Sequence, residues 1–332
     1  MVALSTFWTH FFPPKPHFTV DHVADLSGKV YLVTGSNTGL GKELAQMLYS
    51  RNAKVYIAAR SEDKAARAIE DMKSAAPTST GSLVFIHLDL SDLHKVRSAA
   101  QHFLAQESKL NVLFNNAGVM GSPLEPAPKT AQGYDLALGV NCLGTLLLTQ
   151  LLTPVLTETA KKEPPSSVRV VWLSSFGMEL QAQPRIGIST DNLDYQIPKP
   201  VEDRYSISKT GVWALAVEYA RRHKTDGIVS VPLNPGNLRT ELARDQGVML
   251  RLVAALVCYP AIHGACAQLF AAFSPEVAID TANWSTTWVG PFGRLIPLRT
   301  DLVEATVPEE EGGTGGTAKF WEWSEKQIAE AL

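Results

Sequence analysis

Short apolar runs and amphipathic stretches alternate along this chain. Lys29–Thr34, Val55–Ala59, Leu83–Leu88, Asn111–Asn115, Val168–Ser174, Ile228–Leu233 and Thr286–Val289 are runs of strand length, mostly apolar. Runs of this kind, without strict polar alternation, predict strands buried on both faces. Between them, apolar residues recur at helical spacing over Lys42–Arg51, Glu62–Ala76, Asp92–Glu107, Gln132–Lys161, Tyr205–His223 and Ile262–Phe273. Strand followed by helix, repeated, implies right-handed crossovers and a parallel sheet with helices on both faces. The expected fold class is α/β, a single doubly wound parallel sheet over residues 28–295.

The flanks follow a different pattern. Residues 1–27 form an arm rich in proline and in rings, with Phe7, Trp8, Phe11, Phe12 and Phe18. So many rings are expected to pack on the domain rather than hang in water. Residues 177–204 and 290–318 read as loops, and the run Gly312-Gly313-Thr314-Gly315-Gly316 reads as flexible linker. Lys319–Leu332 then reads as a short amphipathic helix, so 296–332 is expected to be a linker and a short helix. The most apolar window, Val248–Phe273, is interrupted by Arg251, His263 and Gln268. With no uninterrupted apolar run of about 18 residues, no transmembrane span is expected. A peripheral membrane contact and a homo-oligomer both stay open.

Composition narrows the classes. The 332 residues are 45% hydrophobic, enough for a large core, and carry a net charge of −3. The longest basic run is Arg221-Arg222-His223-Lys224, so nucleic acid is not an expected partner. Cys142, Cys258 and Cys266 are odd in number, widely spaced and set among apolar residues. They read as buried thiols of a reducing compartment, which places the chain in the cytoplasm. No metal-ligand spacing is present, and no metal is expected.

Candidate chemistry starts at Tyr205 and Lys209, four apart at the head of a helical pattern. That spacing stacks them on one helix face. A cation beside a phenol favours the phenolate, lowering its pKa from about 10 and fitting it to exchange a proton with an alcohol or carbonyl. Upstream, Thr34-Gly35-Ser36-Asn37-Thr38-Gly39-Leu40-Gly41 joins the first strand to the first helix. Glycines there permit a tight turn, and the helix N-terminus offers N–H groups to a pyrophosphate, as in a Rossmann domain. The second strand ends in Arg60, where an acidic residue would bind an unphosphorylated ribose. A guanidinium suits a 2′-phosphate, so NADP(H) is favoured over NAD(H). Asp89 and Leu90 end the third strand, where they could meet adenine or open the next helix.

These motifs, in this order, resemble the short-chain dehydrogenase/reductases over about residues 28–295. They are the glycine turn, Asn115-Asn116-Ala117-Gly118, Asn141, Ser174-Ser175, Tyr205 with Lys209, and Pro235-Gly236 with Thr240. Within the family the chain looks closest to the retinol-dehydrogenase-like branch and its relatives in fungal secondary metabolism. The resemblance implies a catalytic tetrad of Asn141, Ser175, Tyr205 and Lys209. Ser175 would bond the substrate oxygen, and Tyr205 would be the acid in reduction and the base in oxidation. Lys209 would hold the nicotinamide ribose, and Asn141 would place a water linking Lys209 to solvent. It also implies that Gly35 to Leu40, Asn116, Ala117 and Gly118 cradle the nucleotide, with Pro235, Gly236, Leu238 and Thr240 fixing its nicotinamide. The gap of 30 residues from Ser175 to Tyr205 is long for the family.

Segments 177–204 and 242–275 are therefore expected to shape the substrate mouth, with Leu180, Ile186, Ile188 and Tyr195 around the pocket. The expected activity interconverts a ketone and a secondary alcohol on a small apolar, polyketide-like molecule. The same residues also allow a dehydration, isomerisation or cyclisation, or a protein that only senses the nucleotide.

Overall fold

A computed structural model of the chain describes residues 4–122, 127–239, 258–281 and 283–332. One eight-stranded sheet runs through it in the order β3-β2-β1-β4-β5-β6-β7-β8. The strands are β1 (Val30–Thr34), β2 (Lys54–Ala59), β3 (Ser82–His87), β4 (Val112–Asn115), β5 (Arg169–Leu173), β6 (Val229–Leu233), β7 (Thr287–Gly290) and β8 (Arg294–Pro297). All neighbours pair parallel except β7 and β8. β1, β4, β5 and β6 are buried at every position, which is why their sequences show no alternation.

Ten helices complete the described fold: α1 (Leu4–Phe11), α2 (Gly39–Ser50), α3 (Glu62–Ala75), α4 (Leu93–Leu104), α5 (Leu136–Ala160), α6 (Gly177–Gln181), α7 (Val201–Arg222), α8 (Ala261–Phe273), α9 (Val303–Thr306) and α10 (Gly316–Ile328). α2 packs with α3 and α8, while α4 packs with α5, and α5 with α7. The sheet is thus covered on both faces, as the alternation predicts. Strand order reverses between β1 and β4, the switch point at whose carboxyl ends sheets of this kind bind their ligands.

α5 is the only described helix long and apolar enough to cross a bilayer, with a mean hydropathy of 1.6 over its best window. That window is 78% buried within the fold, as a central core helix would be. A π-helical turn, Gly139–Gly144, interrupts α5 near its start.

The flanks depart from their expectations. Five residues of the 177–204 segment form α6. A hairpin adds β8, antiparallel, to the far edge of the sheet. The expected linker is ordered by its own backbone bonds. Gly313 N–H donates to Pro308 (3.0 Å), Thr314 N–H to Glu304 (2.9 Å) and Gly315 N–H to Val307 (2.9 Å). Composition suggested flexibility, but every one of these donors finds a carbonyl within the fold. α10 starts at Gly316, three residues before its expected start, and buries Phe320 and Trp321 against α7. The Arg222 guanidinium lies 5.1 Å from the Trp321 ring centre.

Candidate active site

Tyr205 and Lys209 lie in the second and third turns of α7, which begins just after Pro200. The Lys209 Nζ is 5.8 Å from the centre of the Tyr205 ring, so the spacing of four does place both on one face. Lys209 is buried, and its Nζ donates to the Leu173 carbonyl at the end of β5 (2.7 Å). Ser175, two residues on, hydrogen-bonds Tyr205. Its Oγ also accepts the N–H of Gly177 (2.9 Å), fixing the turn into α6. Ser174 faces the other way, donating to the Lys209 carbonyl (2.7 Å) while fully buried. Of the two serines, only Ser175 is turned toward the phenol.

The protonation states differ from the sequence expectation. Burial pushes the Tyr205 phenol up to about 12, although its bond with Ser175 works against that. Burial also pushes Lys209 down to about 8. Desolvation disfavours the charged form of both groups. Tyr205 therefore carries its proton at neutral pH.

Asn141 sits in the π-helical turn, a distortion common where a helix passes a functional site. Its Oδ1 accepts from Val119 N–H (2.9 Å), and its Nδ2 donates to Val119 O (3.0 Å) and to Ser208 Oγ (2.8 Å). Ser208 Oγ in turn donates to the Tyr205 carbonyl (2.7 Å). Sequence reasoning missed Ser208, although it stands inside the Tyr205-Ser206-Ile207-Ser208-Lys209 run. Arg204, beside Tyr205, pairs with Asp135 (3.3 Å), and Asp135 caps the first N–H groups of α5. One ion pair thus locks α7 to the helix that carries Asn141.

The glycine turn lies between β1 and α2, with Gly35 at φ 66 and Gly39 at φ 53, both left-handed. A Cβ on Gly41 would lie 2.5 Å from Asn116 Nδ2 and 2.6 Å from the Gly35 carbonyl. Thr38 opens α2 without a side-chain cap, which leaves the first N–H groups for a ligand. Asn37 and Thr38 are half-buried and Leu40 is buried, while Ser36 turns inward and donates to Val33 O (2.7 Å). Asn116 ties the turn together. It donates to Thr34 O (2.7 Å) and accepts from Gln268 of α8 (3.1 Å). Ala117 donates its N–H to Thr34 Oγ1 (2.9 Å). A Cβ on Gly118 would lie 3.1 Å from Lys209 Nζ, so this turn abuts the Tyr–Lys pair. These features fit a dinucleotide: free helix N–H groups, a glycine cradle and a path from it to Lys209.

The rim residues are also placed. Arg60 is exposed at the end of β2. Asp89 accepts from Ser91 N–H (3.1 Å) and Oγ (2.6 Å), so it opens a helix-capping turn, and Leu90 is buried beneath it. Burial would raise the Asp89 carboxyl, but the Ser91 bonds and the nearby Arg60 and Lys95 hold it below the usual range. Gly236, at φ 97, follows buried Pro235 at the end of β6, and Leu238 bridges to Tyr259. Thr240 lies outside the described residues, as do residues 242–257 of the expected mouth.

Comparison with known proteins decides the family. A family model described as short chain dehydrogenase matches residues 29–177. A short-chain dehydrogenase/reductase of Phomopsis amygdali is 48% identical over 329 residues, covering 98% of this chain and 97% of the relative. The chain belongs to the short-chain dehydrogenase/reductase family. A second member, from Neocamarosporium betae, is 46% identical over 327 residues, covering 98% and 93%. The crystal structure of an uncharacterized protein from Mycobacterium Paratuberculosis matches with a TM-score of 0.64 and 26% identity, covering 93% of this chain and 96% of that one. This short-chain dehydrogenase/reductase is therefore an oxidoreductase by family, and its fold is that of nicotinamide dinucleotide-binding proteins.

The long insertion of this family member does not gather where it was expected. Leu180 and Ile186 are exposed. Gly187 packs toward Trp213 and Ala305, and Ile188 is buried with them in the core. Tyr195 is half-buried near Asp135 and Arg204. Much of 183–199 thus lies against the outer side of α7, bordering a separate cleft with Ile207 and Thr210. The part that stays near Ser175 is α6, and it meets a partner the sequence did not suggest: α1 of the arm.

Proposed function

We propose that this protein is an NADP(H)-dependent reductase that converts a ketone on a small apolar molecule to a secondary alcohol. The reading is carried by one observation: Tyr205, bonded to Ser175 and backed by Lys209, stands beside a glycine cradle at the carboxyl ends of the sheet. The dinucleotide, when bound, supplies the hydride. Ser175 donates a hydrogen bond to the carbonyl oxygen and steadies the charge that builds there. Tyr205 gives its hydroxyl proton to that oxygen, which completes the alcohol. Lys209, a cation beneath the ring, steadies the phenolate left behind. Asn141 spends its side chain on Val119 and Ser208, so a water-holding role would fall to its main chain. Arg60 supports NADP(H), because an exposed guanidinium can pair with a 2′-phosphate. The fungal relatives support a place in secondary metabolism.

The test is reduction of a ketone panel by the purified protein, with NADPH and NADH compared. Turnover with NADPH at a lower KM than with NADH is expected. Tyr205→Phe should lower kcat by about a thousandfold while leaving NADPH affinity in place. Tight NADPH binding without turnover of any ketone would sink the redox reading and favour a nucleotide sensor or a non-redox acid/base enzyme.

A further inference from the structure

The amino-terminal arm reaches the candidate active site and is fastened there. His10 of α1 is buried, and its Nδ1 lies 2.8 Å from Asn234 Nδ2, one residue before the Pro235-Gly236 turn. Tyr259 Oη donates to the Phe11 carbonyl (3.2 Å) and Asn237 Nδ2 to the His10 carbonyl (3.5 Å). The His10 ring lies 5.1 Å from the Phe176 ring and 5.7 Å from that of Trp288 on β7. These contacts hold α1 over the carboxyl ends of β5, β6 and β7, the side on which Ser175 and the nicotinamide turn stand.

Three rings meet where α1 touches the catalytic strand end. Phe7 and Phe11 stack with centres 4.1 Å apart and planes 14° apart. Phe176, the residue after Ser175, stands at 89° to Phe11 (5.2 Å) and at 79° to Phe7 (6.4 Å). Phe11 and Phe176 are half-buried, but Phe7 remains 41% exposed. A ring corner with one open member can take a further flat partner by offset stacking or edge-to-face contact. Trp8 and Phe12 form a separate pair (4.6 Å), and both are exposed.

We propose that α1 is a wall of the substrate site, and that Phe7, Phe11 and Phe176 bind an aromatic or conjugated ring of the substrate beside Ser175. This rests on the ketone-reductase reading and names its substrate class. The arm is then a specificity element, and a ketone without a ring is a poorer substrate than its aryl counterpart.

The test compares kcat/KM for 2-acetylnaphthalene and for 2-octanone in the full-length protein with NADPH. Phe7→Ala and Phe7→Leu should each lower the aryl-to-alkyl ratio by roughly threefold to tenfold. Trp8→Ala, on the neighbouring pair, should leave the ratio where it is. A ratio unchanged by Phe7→Ala, or lowered equally by Trp8→Ala, overturns the proposal. If the unaltered protein binds NADPH but reduces neither ketone, it is the redox reading that fails. The wall is then tested by 2-naphthol fluorescence with the NADP-loaded protein. Weaker binding to Phe7→Ala than to Trp8→Ala supports the wall, and equal binding overturns it.

Discussion

His10 and Glu179 face each other at 3.7 Å, each side chain 1% exposed. Burial lowers His10 to about 4 and raises Glu179 to about 7, with Arg299 pulling Glu179 down and Asp301 pushing it up. Both shifts favour the neutral forms, so the contact carries no ion pair at neutral pH. Their linkages oppose. A folded carboxyl raised above its unfolded value loses stability as pH rises from 4.5 to about 7. A folded imidazole lowered below its unfolded value loses stability as pH falls from 6.5 to about 4. Each effect is on the order of a few kcal/mol, and in the intact pair the two largely offset. Urea titrations across this range should show stability falling with rising pH in His10→Asn, and falling with lowering pH in Glu179→Gln. Slopes of the same sign in the two variants would overturn burial as the cause of both shifts. In sequence, Ser175 and Asn141 stood out only through the family resemblance, while the pairing of Tyr205 with Lys209 was legible from their spacing and functional groups. Their protonation was not, because desolvation comes from elements far along the chain. His10 stood in no motif at all; only its neighbours in space give it meaning.

Among the elements, the turn from β1 into α2 leaves little freedom. Gly41 has no room for a methyl group between Asn116 and the Gly35 carbonyl, one of which is backbone and cannot rotate away. Gly41→Ala should therefore displace the turn and weaken NADPH binding by at least about tenfold, or 1.4 kcal/mol. Fluorescence titration with NADPH measures this, and an unaltered Kd would show that the cradle lies elsewhere. The long strands and helices of the core were legible because apolar residues repeat over enough positions to fix a period. β8, α6 and α9 have only four or five residues each. Unlike the equally short β4 and β7, they do not stand out as apolar runs, and tertiary contacts decide their shape. The π turn in α5 was equally hidden, since it changes hydrogen bonding and not hydrophobicity.

Taken as a whole molecule, the carboxyl-terminal stretch belongs to the core. Phe320, Trp321 and Ile328 of α10 are each no more than 1% exposed. Their burial contributes on the order of 6 kcal/mol, comparable to the whole stability of many domains. A chain ending before Gly316 should show no cooperative thermal transition. A melt like that of the full chain would restore the picture of a tail on a linker. Glycine-rich composition masked this, because it reports what the backbone can do and not what its neighbours require. The same long reach governs the arm. His10 meets Asn234 across 224 positions, and Pro14 meets Arg294 across 280. Closing such spans costs chain entropy before any contact repays it. The arm is made well before the residues it docks on and is among the last parts to find its place. Through most of synthesis it has nothing to dock on, and a nascent chain already holding Ser175, Tyr205 and Lys209 still lacks Arg294, which fastens Pro14.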